Sequence, residues 1–129
     1  MKNLEKANGW FLRARSNMAR LKAGKVSTDI LYEDLCYDAQ QAAEKALKAL
    51  CIFHWIVFQR THDIAYLLEL LEKGNVEIPA EVEKSKILTA YAVETRYPGD
   101  YTPVSENDFK KAFKAAEIVF KWVEQSITT

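Results

Sequence analysis

The chain has 129 residues whose eighteen basic and eighteen acidic side chains cancel, so global charge excludes no partner class and selects none. Apolar residues make up 49%, while glycine and proline number only four and three, which argues against a turn-rich all-β fold and for long helices. That length suits one domain, residues 1–129, able to bury a real core.

The first predicted helix runs roughly from Asn3 to Ala23. Leu4, Ala7, Phe11, Ala14, Met18 and Leu21 alternate steps of three and four, a narrow seam for helix packing, and Gly24 is a fitting stop. Charge is uneven here. Residues 1–28 hold seven bases (Lys2, Lys6, Arg13, Arg15, Arg20, Lys22, Lys25) and one acid, Glu5, whereas the remainder has eleven bases and seventeen acids. The basic face could hold RNA phosphates, dock on an acidic surface, or simply be solvated.

Ser27, Thr28 and Asp29 offer cap oxygens for a second helix ending near His54. Within it Ala39, Ala42, Ala43, Ala46, Leu47 and Leu50 share one stripe, close enough to bare backbone for neighbouring helices to approach tightly. Gln40, Gln41, Glu44, Lys45 and Lys48 are expected to keep the other side wet, with Glu44 and Lys48 as a surface i,i+4 pair. Cys36 and Cys51 lie fifteen residues apart on this helix, about 22 Å at the usual rise, so they cannot form a disulfide. Two unpaired thiols suit a reducing compartment.

The run Ile52–Phe58 is apolar on every side, so it either leaves the helix as an extended crossover or forms a subunit interface. Interrupted by His54, the apolar stretch 49–58 is about half a membrane span, and the N-terminus is polar. Neither a membrane span nor a signal peptide is expected, which fits a soluble cytoplasmic protein.

Thr61 and Asp63 can cap a third helix with Ile64, Leu67, Leu68 and Leu71 inward, ended by Gly74 and Asn75. Pro79 opens a fourth helix, with Glu81 and Glu83 in its first turn; its stripe of Val82, Ile87, Leu88 and Tyr91 is the least regular, and Pro98-Gly99 stops it. Ser105 and Asp108 resemble a capping box before a fifth helix with Phe109, Ala112, Phe113, Ala116, Val119, Phe120 and Val123 on its apolar face. The expected fold is all-α, an antiparallel up-and-down bundle of about five helices.

Metal and cofactor sites are not expected. Cys51 and His54 sit one turn apart, but only one other histidine exists and Cys36 is too far away. No phosphate-cradling glycine loop or paired-histidine metallohydrolase helix is present. Two polar clusters remain. In Gln59-Arg60-Thr61-His62-Asp63, His62 in the first turn of helix three could contact an anion with Arg60; equally, Thr61 or Asp63 caps the helix while His62 bridges two helices. In the run from Glu94 to Tyr101, Arg96 and the tyrosines could stack on a base and hold its phosphate, or plug the end of the bundle.

The run Tyr37–Leu50, the turn Thr61-His62-Asp63 with the following Ile-Ala-Tyr-Leu-Leu68, and Arg96-Tyr97-Pro98 together resemble the HEPN family (higher eukaryotes and prokaryotes nucleotide-binding domain). Trp10 to Leu21 fits the family's opening helix, so the likeness covers nearly the whole chain. The resemblance implies a five-helix bundle, commonly a homodimer, linked to a minimal nucleotidyltransferase and often part of a toxin–antitoxin pair. Many members are metal-independent ribonucleases that use an arginine followed four to six residues later by a histidine.

Here no histidine follows Arg96; the residue five positions on is Tyr101, whose ordinary pKa of about 10 makes it a poor proton carrier at neutral pH. Asn17 stands where an acid is frequent, and Trp55 where a glycine often ends the second helix. The combination points to a non-catalytic module for a nucleotide or a nucleotidyltransferase, with Arg60, His62, Arg96 and Tyr101 as contacts. The alternatives are an RNA endonuclease toxin using Arg96 with Tyr101 or Arg60 with His62, and a purely structural dimer.

Overall fold

The computed structural model describes residues 2–92 and 102–128. Among them every regular element is helical: α1 (Leu4–Ala23), α2 (Tyr32–Phe53), α3 (Ile64–Lys73), a single turn α4 (Ala80–Glu83) running on as a 3-10 helix (Lys84–Ala92), and α5 (Glu106–Thr128). No helix is long and apolar enough to cross a membrane among these residues.

The sequence explains the start of α1 directly. Asn3 caps it, its side-chain oxygen accepting from the Lys6 amide, and Ala7, Phe11, Ala14, Met18 and Leu21 are buried along one seam. That seam lies antiparallel on α2. The Asn3 amide donates to the Phe53 carbonyl at one end, and Asn17 reaches Asp38 toward the other. Phe11 also stacks on Phe120 of α5 at 4.7 Å between ring centroids. After the long return through α3 and α4, α5 begins beside the start of α2, with Phe109 against Tyr32 at 5.6 Å.

α2 differs from the amphipathic helix expected. Sixteen of its 22 residues are buried, among them Gln40, Gln41, Glu44 and Lys48, and only Lys45 of the supposed wet set is half-buried. The reason is topological. α2 is the central helix, touched by α1, α3, the 3-10 segment and α5, and the crossover after it folds back over its polar file. The alanine stripe performs as expected: Ala39, Ala42, Ala43 and Ala46 have no exposed surface. Capping of α2 also differs. Ser27 accepts from the Asp29 amide in a local turn, and the helix starts at Tyr32 after Leu31, which makes no side-chain cap.

The ends of α2 and α3 share one motif. The Ile56 amide donates to the Cys51 carbonyl and the Trp55 amide to that of Ile52; likewise Val76 donates to Leu71 and Asn75 to Glu72. Trp55 and Asn75 are the left-handed residues, at φ 61° and 67°. Gly74 serves for space instead: a Cβ there would stand 2.6 Å from the Ile56 Cδ1 methyl, which would have to move aside. The apolar run 52–58 therefore leaves the helix as a crossover: Ile56 and Phe58 pack on the core, while Trp55 and Val57 are exposed.

The fourth helix is not α beyond Glu83. Val82, Ser85 and Leu88 are buried at three-residue steps and Ile87 is exposed, the periodicity of a 3-10 helix. Its expected stop at Pro98-Gly99 falls outside the described residues. α5 follows expectation: Ser105 and Asp108 form the reciprocal capping box, and Ala112, Ala116, Val119, Phe120 and Val123 are buried.

Candidate functional site

The polar file of α2 assembles into a network on Glu44, a residue only 2% exposed. Gln40, Glu44 and Lys48 are one turn apart, so their side chains share a face. One Glu44 oxygen, Oε2, accepts from the Lys48 ammonium at 2.8 Å. The other, Oε1, accepts from Gln40 Nε2 at 2.9 Å and meets His62 Nδ1 at 2.9 Å. Gln40 also donates to the His62 carbonyl at 3.2 Å, and Gln41 donates to Gln40 Oε1 at 2.7 Å. Such saturation is what allows a carboxylate to stay buried.

Lys48 is buried for a second reason. Its ammonium lies 5.1 Å from the Trp10 ring centroid and 5.7 Å from that of Phe58, and those rings meet edge-to-face at 6.2 Å. Two aromatic faces and one carboxylate replace the water a lysine normally keeps. The crossover thus supplies a roof, Phe58, and a plug, His62.

A carboxylate only accepts hydrogen bonds, so His62 Nδ1 must be the donor to Glu44. In the neutral ring Nε2 is then an acceptor, on a side chain 54% exposed. Arg60, two residues earlier, is exposed as well. His62 does not sit in a helical turn: α3 begins at Ile64 and Asp63 caps it, accepting from the Ala65 amide, while Thr89 accepts from the Ile64 amide. The first backbone donors of α3 are thereby occupied, and Thr61 serves by accepting from the Asp63 amide. The bridge from His62 to α2 is present, with Glu44 as its far end. Arg96 and Tyr101 lie outside the described residues, so only Arg60 and His62 of the predicted contacts are placed.

Glu44, Lys48 and Gln40 are the partners that sequence reasoning missed, having been read as surface. A usable signal existed: an unbroken polar file at four-residue steps, followed by an apolar crossover that had to cover something.

A second cluster joins α1 to α2. Asn17 Nδ2 donates to Asp38 at 3.1 Å, Lys45 donates to Asn17 Oδ1 at 3.2 Å, and Arg20 pairs with Asp38 at 3.2 Å. The amide at 17 therefore keeps a polar contact for helix one. Burial holds the Asp38 carboxyl above its ordinary range, against the pull of Arg20 and Asn17, and burial lowers the Lys45 ammonium. Both cysteines are free and buried, and burial pushes each thiol up to about 12. Such thiols are poor nucleophiles. No group of three or more metal-ligating side chains occurs among the described residues.

A sequence model of the HEPN domain matches residues 7–126 of this chain. Among solved structures, the crystal structure of ST0689, an archaeal HEPN homologue, superposes with a TM-score of 0.74 at 27% identity, over 94% of this chain and 97% of that one. No curated protein matches.

Proposed function

This chain belongs to the HEPN family, and from that premise we propose that it is a non-catalytic binding module for a nucleotide or for a minimal nucleotidyltransferase, working in the cytoplasm as one half of a toxin–antitoxin-type pair. One observation carries the proposal: His62, pinned through Nδ1 to the buried Glu44 carboxylate at 2.9 Å, holds a half-exposed imidazole beside the exposed Arg60. The planar Arg60 guanidinium suits the oxygens of a phosphate, and the acceptor Nε2 of the fixed imidazole suits a donor such as a ribose hydroxyl or a base amine. Arg96 and Tyr101 complete the proposed contact set, and a homodimer would present it twice.

The non-catalytic part rests on the sequence. Neither His54 nor His62 follows an arginine at the four-to-six-residue spacing of the family's ribonucleases. Titration calorimetry with ATP and GTP, together with pull-down of a purified minimal nucleotidyltransferase, tests the proposal. Binding that Arg60→Ala and His62→Ala abolish is expected; silence in both assays refutes it.

One feature favours a second reading, a metal-independent RNA endonuclease that uses Arg60 with His62. An imidazole backed by a buried carboxylate is also how a general base is held. Incubation with total RNA decides: cleavage lost in His62→Ala would establish it, and intact RNA would reject it.

A further inference from the structure

The outer face of α1 carries a second surface that the Arg60–His62 reading does not use. Lys6, Arg13 and Arg20 recur at seven-residue steps, so they drift only about 20° per step around the helix. They form a nearly straight row about 21 Å long, one cation every two turns. Glu5 is the single acid of α1. Arg20 is held by Asp38, yet neither Lys6 nor Arg13 forms an ion pair among the described residues. Half-buried Lys45 lies close enough to feel Arg13 and Arg20 as well as the acids Glu44 and Asp38.

Beside this row lies an open groove of about 590 Å³, lined by Lys6, Gly9, Trp10, Leu12, Arg13 and Ile52. Gly9 has nothing within 4 Å of where a Cβ would stand, so the floor is clear. Leu12 is 64% exposed on its rim. Apolar surface flanked by unpaired cations needs a partner with both chemistries.

We propose that this face of α1 docks an acidic amphipathic helix of another protein, apolar side chains entering the groove over Trp10 and Leu12 while carboxylates two turns apart meet Lys6 and Arg13. The seven-residue period is the one at which a helix repeats its own face, which is how flanking charges set pairing in coiled coils. A nucleic-acid strand would satisfy the cations but offers nothing aliphatic to cover Leu12. To meet the row with Glu69, Glu83, Glu106, Glu117 or Glu124, a second copy would give up the ion pairs these acids already make with lysine or arginine.

The test is fluorescence anisotropy of the full chain with a labelled synthetic 21-residue helical peptide carrying leucines at i, i+3, i+4 and i+7 steps and flanking glutamates every seventh residue. A peptide with lysine for glutamate, a labelled uridine oligonucleotide and anionic lipid vesicles run alongside. Binding of the acidic peptide alone is expected, weakened about tenfold or more by Arg13→Glu and by Leu12→Glu, with Arg60→Ala unchanged. Arg13 and Leu12 are exposed, so both variants should fold, as circular dichroism verifies. No peptide binding overturns the proposal. So does binding indifferent to Arg13→Glu and Leu12→Glu, preference for the oligonucleotide or the vesicles, or a self-association that Leu12→Glu dissolves.

Discussion

Two charged clusters interrupt the apolar packing of α2, and they end differently. The Glu44 cluster is closed inward: its carboxylate is 3% exposed, Lys48 is 7% exposed under two rings, and the network opens only through the His62 imidazole. The Asp38 cluster lies along the α1–α2 seam and ends in Arg20, 68% exposed and free to give way to solvent. A buried carboxylate by itself therefore marks no site. What separates the two is the group at the end of the hydrogen-bond chain and whether that group is held in one orientation.

The sharpest way to break this contrast is to remove the carboxylates. Glu44→Ala leaves the Lys48 ammonium buried and unpaired, so a loss of about 3–5 kcal/mol in urea unfolding is expected. The double change Glu44→Leu with Lys48→Met removes both charges at similar volume and should recover most of that loss. A Glu44→Ala variant as stable as the parent would mean that water reaches Lys48.

Trp10→Ala removes one face of the lysine box and part of the α1 packing, and a loss of about 2–3 kcal/mol is expected, less than for Glu44→Ala. Trp10→Leu, which restores part of the bulk without a ring, should recover part of that loss and leave the cation–π share, about 1 kcal/mol, unrecovered.

Asp38→Asn should cost less, and its cost should depend on pH. The folded state raises the Asp38 pKa above its ordinary 3.8, so its protonated form favours folding and that contribution is fully present below the unfolded value. It fades as pH climbs through the folded value. The stability of Asp38→Asn relative to the parent should therefore improve between acid and neutral pH, read as urea midpoints at both. A difference that moves the other way would mean that Arg20 and Asn17 outweigh burial.

The smallest effect concerns the crossover that brings His62 to Glu44. Trp55 holds φ 61° at the end of α2 with 63% of its surface exposed, a conformation glycine adopts without strain. Trp55→Gly should stabilise by about 1 kcal/mol in the same unfolding assay. Destabilisation would show that the indole's contacts outweigh its backbone strain.

The bounds of α1 and α3, the start of α5 and the alanine stripe were legible from capping residues and from the period-3.6 pattern that packing leaves. The 3-10 segment was not: its buried Val82, Ser85 and Leu88 include a serine, which a search for apolar periodicity passes over. Half of the placed site was legible, since Thr61-His62-Asp63 reads as a turn and His62 as a bridge. The other half was not, because Glu44 and Lys48 form the same i,i+4 pair on a surface or in a core. Only the fold of 54–63 over α2 separates those cases, and that depends on contacts eighteen residues apart in sequence, between Glu44 and His62.

The most direct test of the account is ¹⁵N NMR of the two histidine rings while ATP is titrated into the full chain. His62 is expected to carry its proton at Nδ1, with an Nε2 resonance that moves with ATP, while His54, whose Nδ1 faces Lys2 at 3.1 Å, does not respond. A His62 ring protonated at Nε2 alone would contradict the site's geometry, and one indifferent to ATP would contradict the nucleotide reading of it.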